Sequence, residues 1–389
     1  MEDMSDLSAP LGFAVVGCGY VADFYLATYR NYPQLKLFGA MDRDQDRARA
    51  FGNFHGVPIY ATLDELLADE RVAIVVNLTN PGSHYEVSNR ALRAGKHVYS
   101  EKPLALELDQ ARALVELAAG RRLMLASAPC SLLGEVAQTI WQLIRTGAIG
   151  KIIAVYANIE DGAKHLMGYR AWRSVSGAPW PYADEFELGG CIEHANYYLT
   201  WLTAFFGRVE CVTALSACLA PDKLPEDPAR PLGPDFSVSV LRFASGTVAR
   251  LSVGTLMPQD HQLVLVGERG VIYTDDSWNY GGKVSLRDHV KPSLENKSVA
   301  HIYLSEPRAV PLVRPDVREF TYHDTHDMDF ARGVAELADA ILEGRRCRMG
   351  ADWALHLTET LLGINAATDG MTFRPQTTFA EIEPMPWAR

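Results

Sequence analysis

The residues most suited to chemistry begin with Gly17, Gly19 and Ala22, in the run Phe13-Ala-Val-Val-Gly-Cys-Gly-Tyr-Val-Ala22. Four apolar residues predict a short buried strand that Gly17 ends, and a helical pattern follows from Tyr20 to about Tyr32. That spacing suits a dinucleotide pyrophosphate. Gly17 permits the tight turn, Gly19 has no Cβ to hold the backbone off a phosphate, and Ala22 lets the helix pack on the strand. The helix start adds unpaired N–H groups and the positive end of a dipole. The candidate cradle is therefore Gly17, Cys18, Gly19, Tyr20 and Val21, with Cys18 at a position that tolerates any small residue.

The elements around this turn must bring further groups to the same edge. Leu35 to Met41 reads as a second strand ending at Asp42, where a dinucleotide fold accepts hydrogen bonds from the adenosine ribose. The Asp42 carboxylate would repel a 2′-phosphate, so NAD is expected over NADP, while Arg43 beside it offers that phosphate a partner. Asp42 also suits the cap of a helix from Gln45 to Phe51. Thr62 followed by Glu65 predicts a capped short helix. Val72 to Leu78 reads as a fully apolar strand ending in Thr79-Asn80-Pro81-Gly82-Ser83-His84, and Gly95 stops the helix after it. His97 to Ser100 is a strand ending in Glu101-Lys102-Pro103; a helix from Leu108 to Ala119 and a strand from Leu123 to Ser127 follow. Strand and helix alternate, so the sheet is parallel and doubly wound, with ligands beyond the carboxyl ends of its strands. Gly17, Asp42, Thr79 to His84 and Glu101 to Pro103 all fall at such ends.

Length and charge narrow the partners. The 389 residues carry a formal charge of −11, which disfavours nucleic acid and anionic membranes. No apolar run reaches the roughly 20 residues of a membrane span. The start, MEDMSDLSAP, lacks a signal pattern and reads as a frayed tail. Six cysteines without framework or metal-ligand spacing predict reduced thiols in a cytoplasmic protein.

The combination of Gly17-x-Gly19-x-x-Ala22, Thr79-Asn80-Pro81…His84 and Glu101-Lys102-Pro103 resembles the Gfo/Idh/MocA oxidoreductases, relatives of glucose–fructose oxidoreductase and inositol dehydrogenase. The resemblance is strong to about residue 130 and looser beyond. It implies an α/β chain, with a Rossmann domain over 1–130 and, over 131–389, an α/β substrate and oligomerisation domain with a large open, predominantly antiparallel sheet. It also implies a substrate held between the two, against a nicotinamide. Carried over, the Glu-Lys-Pro lysine is Lys102, meeting both substrate hydroxyl and cofactor, and Thr79, Asn80 and His84 line the cofactor. Lys102 also stands at a strand end before Pro103, which restricts it to extended backbone.

The second half begins with a helix over Leu132 to Ile144. Strands are expected at Ile152 to Asn158, Val209 to Leu219, Ser237 to Ala244, Thr247 to Val253, His261 to Gly267 and Val271 to Asp275. Partial alternation predicts one face on helices and the other toward solvent or a partner. Residues 288–316 read as a long loop, either a lid or an insertion, and amphipathic helices over His326 to Leu342 and Asp352 to Thr368 close the chain. His323, Asp324 and His326 cluster, but in a polar helix-start setting, so no metal site is expected.

Leu188-Gly189-Gly190-Cys191-Ile192-Glu193-His194-Ala195-Asn196-Tyr197 resembles the family's second-domain motif, with Glu193 on its acid and Tyr197 replacing its histidine. One helical turn separates Glu193 from Tyr197, so they share a face, and His194 lies near it. Taking hydride from a carbinol requires removing the hydroxyl proton, and the reverse requires supplying it. Tyrosine is protonated at neutral pH, and a nearby Lys102 ammonium would let Tyr197 serve both ways. Glu193 either orients Tyr197 or a substrate hydroxyl, or favours the helix start; His194 is the rival for the proton. Arg170, Trp172 and Arg173 belong to an aromatic, basic loop whose planes and forks suit sugar faces, hydroxyls and phosphates.

The expectation is an NAD(H)-dependent oxidoreductase acting on a ring carbinol or ketone of a sugar, cyclitol or nucleotide-linked sugar, assembled as a homodimer or homotetramer. Two alternatives stand beside it: an NAD-dependent glycoside-cleaving enzyme using transient oxidation, and a non-catalytic protein that senses a sugar or NAD.

Overall fold

The computed structural model describes residues 9–290, 303–323 and 327–389. Its first layer follows the alternation in the sequence: β1 (Leu11–Val16), α1 (Ala22–Thr28), β2 (Leu35–Met41), α2 (Gln45–His55), α3 (Leu63–Ala68), β3 (Ile74–Asn77), α4 (Pro81–Arg93), β4 (His97–Ser100), α5 (Leu108–Arg121) and β5 (Leu125–Ser127). The strands are parallel in the order β2-β1-β3-β4-β5. β3 is wholly buried, and β1 and β4 are buried beyond their first residues, as strands covered by helices on both faces must be. Chain order reverses across β1, so the carboxyl ends of β1, β2, β3 and β4 open onto one crevice.

Local details differ from the sequence reading for clear reasons. α1 stops at Thr28, and one 3₁₀ turn, Tyr29–Asn31, finishes the run expected to reach Tyr32. Asp42 does not cap α2; Asp44 does, accepting from the N–H groups of Asp46 and Arg47. The Thr62 cap on Glu65 is present, and Glu65 returns a bond to the Ala61 N–H.

The second layer comprises α6 (Glu135–Arg145), β6 (Ile152–Glu160), α7 (Tyr182–Leu188), α8 (Gly190–His194), α9 (Asn196–Phe206), β7 (Val209–Ala217), β8 (Phe236–Phe243), β9 (Val248–Gly254), β10 (Leu263–Gly267), β11 (Gly270–Thr274), β12 (Val284–Val290), β13 (Tyr303–Leu304), β14 (Arg308–Val310), α10 (Ala331–Glu343), α11 (Ala351–Asn365) and β15 (Met371–Phe373). The sheet order is β13-β12-β11-β10-β6-β9-β8-β7-β15, with β14 also on β12. β6 and β9 are parallel and the other pairs antiparallel. One face packs on α8 and α11. The other leaves Tyr156, Leu215, Val240 and Val248 exposed.

The stretch 288–316 is not simply a loop. β12 runs to Val290, and β13 and β14 both pair with it; residues 291–302 lie outside those described. Its polar composition hid these strands because they are edge strands held by their partner rather than by burial. The last helix pair begins at Ala331, not at residue 326, which also lies outside the described residues. Both helices return to the first layer, α10 against α1 and β4, α11 against α5 and β5. Among the described residues no helix is long and apolar enough to cross a membrane.

Candidate active site

A cavity of about 1150 Å³ opens where the carboxyl ends of the first sheet meet α7, α8 and α9. Its first wall is the turn after β1. Gly17 has φ +97°, and a Cβ there would stand 2.6 Å from the Leu78 carbonyl oxygen, so only glycine fits. A Cβ on Gly19 would meet nothing within 4 Å, which leaves open backbone beside Tyr20 and Val21 on the cavity edge. That opening is what a pyrophosphate needs, and the turn fits a dinucleotide.

Asp42 sits behind this turn. Its carboxylate accepts from the Cys18 N–H and the Asp44 N–H, both at 2.8 Å, which ties the cradle to β2. Arg43 is exposed and does not line the cavity; the guanidinium near Asp42 is that of Arg47, at 3.9 Å. Burial, reinforced by Asp42, raises the Cys18 thiol, so it stays an uncharged filler.

The segment after β3 is held by His84, whose two ring nitrogens lie 2.7 Å from the Pro103 carbonyl and 2.8 Å from that of Thr79. His84 thus pins Thr79 to the Glu101–Pro103 turn while lining the cavity itself; burial pulls its pKa down. Asn80 donates to Asp184 of α7, a bond between the two layers. Glu101 is buried and accepts from the Tyr25 hydroxyl at 2.6 Å and from the Lys102 N–H.

Lys102 reaches from this turn to Glu193 on α8, Nζ to Oε2 at 2.6 Å, with both side chains nearly buried. Burial opposes charge on each, yet each stabilises the other. Glu193 and Glu101 hold Lys102 above the ordinary lysine range, and Lys102 holds Glu193 below the carboxylate range. Tyr197 follows on α9 with its ring 5.2 Å from that of Trp278, and lines the same cavity. Burial, then the Glu101, Asp161 and Glu193 carboxylates, push its phenol well up, so Tyr197 faces the cavity as a neutral proton donor. Gly189, at φ +90°, turns the chain into α8 so that Glu193, His194 and Tyr197 line one wall.

His194 directs its ring nitrogens to the Gly190 carbonyl (3.2 Å) and to Asp161 Oδ2 (3.1 Å). Asp161 directly follows β6 and also contacts Lys164, whose ammonium lies over the Trp180 ring. Burial works against the Asp161 charge, but Lys164 and His194 hold its carboxyl well below the usual range. Glu185 of α7, 3.7 Å from Lys164, is pushed up by burial, partly offset by Lys164.

Trp172 and Arg173 line the cavity, whereas Arg170 does not: it is exposed and paired with Glu226. Arg173, also exposed, donates to the carbonyls of Arg170 and Trp172. Asp161, Lys164, Glu185 and Trp278 are cavity residues that sequence reasoning missed. For Asp161 and Lys164 a signal existed, an Asp-Gly-Ala-Lys turn after a strand; the isolated Glu185 and Trp278 gave none.

Residues 11–128 match the family model described as oxidoreductase family, NAD-binding Rossmann fold, and residues 137–273 match the GFO/IDH/MocA C-terminal domain. An uncharacterized oxidoreductase of Schizosaccharomyces pombe is 33% identical over 215 residues, 53% of this chain and 54% of its own length. The match therefore spans about half of that relative. A Desulfitobacterium hafniense structure named for NADPH-dependent oxidoreductase activity superposes with a TM-score of 0.74 at 20% identity, covering 95% of this chain and 98% of that one. The Bordetella pertussis WlbA dehydrogenase, solved with NADH and UDP-GlcNAcA, gives 0.68 at 20% identity over 94% and 98%. At such identities the structural likeness concerns the fold.

Proposed function

The chain belongs to the GFO/IDH/MocA family of oxidoreductases, and from that premise we propose that it moves hydride between NAD(H) and a ring carbinol or ketone of a sugar, cyclitol or nucleotide-linked sugar. The observation that carries this reading is the buried Lys102–Glu193 pair at 2.6 Å, with Tyr197 on the same cavity as the glycine turn. A bound nicotinamide supplies the carbon that gives or takes hydride. The chain's own residues do the rest. Gly19, Tyr20 and Val21 cradle the pyrophosphate, Thr79 and Asn80 flank it, and Lys102 holds the reacting oxygen. Tyr197 gives that oxygen its proton in the reductive direction. Glu193 keeps Lys102 charged and extended into the cavity. Trp172 and Arg173 offer an apolar plane and a fork to sugar face and hydroxyls.

NAD is the proposed cofactor because an acidic residue, Asp42, directly follows β2, where its charge would repel a 2′-phosphate; the structural neighbours, one holding NADH and another named for NADPH, favour neither. The six cysteines are free, which fits a reducing compartment, and we place the protein in the cytoplasm. The exposed apolar residues Tyr156, Leu215, Val240 and Val248 on the second sheet support a homodimer or a larger homo-oligomer built through that face.

The test is a panel of free sugars, inositols and UDP-sugars with NAD⁺ and NADP⁺, followed at the reduced-nicotinamide absorbance. Reduction of NAD⁺ by at least one ring carbinol is the expected result. Release of free sugar from a glycoside with no net absorbance change would replace this reading with transient oxidation, and no turnover with intact NAD binding would point to a sensor.

A further inference from the structure

Oxidising a carbinol converts CH–OH and NAD⁺ into C=O, NADH and one proton, and that proton must leave the cavity every turnover. The molecule holds a chain of titratable groups that leads out. His194 lines the cavity and its Nε2 lies 3.1 Å from Asp161 Oδ2. On the far side of the same carboxylate, Oδ1 faces Nε2 of His261 at 3.9 Å. His261 is itself buried, with its side chain 1% exposed, and its Nδ1 lies 3.2 Å from Asp276 Oδ1. The Asp276 side chain is 40% exposed, so the line ends in solvent.

Two features argue that His261 is more than filling. Its Nε2 is buried with no hydrogen-bond partner among the described residues, an arrangement that costs free energy and that folded proteins rarely leave without use. Its ring is also fixed: the Tyr198 hydroxyl bonds to the His261 carbonyl, and the Trp278 ring packs at 4.1 Å. The same indole contacts the rings of His194 and Tyr197, so one side chain sets the spacing of all three. The 3.9 Å gap is about 1 Å longer than an N–H···O bond, a distance that side-chain rotation of Asp161 can close.

We propose that Asp161, His261 and Asp276 form a proton relay between the cavity and solvent, entered at the Asp161 carboxylate on the cavity wall. This rests on the hydride-transfer reading. In the oxidative direction the hydroxyl proton passes to the Asp161 carboxylate on the cavity wall and on to Nε2 of His261, while His194 holds that carboxylate in place. The imidazole then releases its Nδ1 proton to Asp276 and so to water, and reduction runs the same path inward. No bond other than N–H and O–H changes. His261 never touches substrate; it acts through Asp161. The charged groups bearing on the path are Lys164, which holds Asp161 ionised, Glu185 on α7, Glu193 on α8, and Glu160 and Asp260 beside His261.

Histidine ring titration by NMR on the full chain tests the wiring without any substrate. Asp161→Asn should shift the titrations of both His194 and His261, and Asp276→Asn that of His261. A His261 titration unmoved by Asp161→Asn would overturn the relay. Turnover is the second readout, with the sugar that the wild type oxidises fastest in the panel above. His261→Gln and the surface variant Asp276→Asn should lose about tenfold in kcat with KM unchanged, and imidazole or concentrated buffer should restore it. A loss that small proton carriers do not restore, tracking instead a fall in Tm, would mean that His261 is only structural. If the wild type oxidises nothing in the panel, the hydride-transfer reading fails, while the NMR titrations still judge the wiring on their own.

Discussion

Glu193→Gln isolates the charge in the pair on which the proposed site depends. Glutamine keeps the size of the side chain and an oxygen that can accept from Lys102, so packing is preserved while one charge disappears. At 2.6 Å the attraction between the two groups is about 6 kcal/mol with an effective dielectric constant near 20. Relief of the buried Glu193 charge offsets part of this, and Glu101 still faces Lys102, so a net loss of about 3 kcal/mol is expected, the lower end for breaking a buried pair. That is more than a hundredfold in the Lys102 ammonium–amine balance. The folded Lys102 lies above its ordinary 10.5, so its stabilisation is present below 10.5 and lost as pH rises through the folded value. The folded Glu193 lies below its ordinary 4.5, so its share is present above 4.5 and lost as pH falls through the folded value. Thermal unfolding of wild type and variant should therefore differ by a plateau between about pH 5 and 10 and converge at both ends. The alkaline limb of kcat/KM should move about two pH steps lower in the variant. Equal Tm at neutral pH with an unmoved alkaline limb would refute the argument that Glu193 is what keeps Lys102 charged.

Three further outcomes follow from the same geometry. Tyr197→Phe keeps the ring against Trp278 and removes the proton, so turnover should fall about 10²–10⁴-fold while cofactor affinity and Tm hold; normal turnover would pass the proton role to His194. Reduced-cofactor fluorescence titration should favour NADH over NADPH at least about tenfold, near 1.4 kcal/mol, and Asp42→Ala should erase the preference; equal binding in the wild type would show that Arg47 or Arg43 governs the pocket. Val240→Arg, on the exposed face of the second sheet, should turn an oligomer into monomers by light scattering, and a wild type that is already monomeric at micromolar concentration would remove that interface.

The first layer was readable because its signals are local. β1 is a short apolar run closed by Gly17, and Ile74-Val75-Val76 of β3 is another, the pattern that helix-covered parallel strands require. What the sequence concealed is set by distant chain. Lys102 and Glu193 are 91 residues apart, and nothing near Lys102 foretells that its ammonium pairs with Glu193. Asp161 and His261 meet because β6 and β10 are neighbours in the sheet, an adjacency no spacing reveals. Arg170 and Arg173 were equivalent as residue types; one 3₁₀ turn separates the exposed partner of Glu226 from the residue on the cavity. β13 and β14 were hidden because two- and three-residue edge strands carry no periodicity of their own.

The central claim is that Lys102 serves the chemical step inside this cavity. Its most direct test is Lys102→Met, with turnover on the sugar the wild type oxidises measured beside NADH titration of the same preparation. A fall of about 10²–10⁴ in kcat with NADH affinity kept is the predicted result. Wild-type turnover in the variant, or loss of turnover only in step with lost NADH binding, would contradict it.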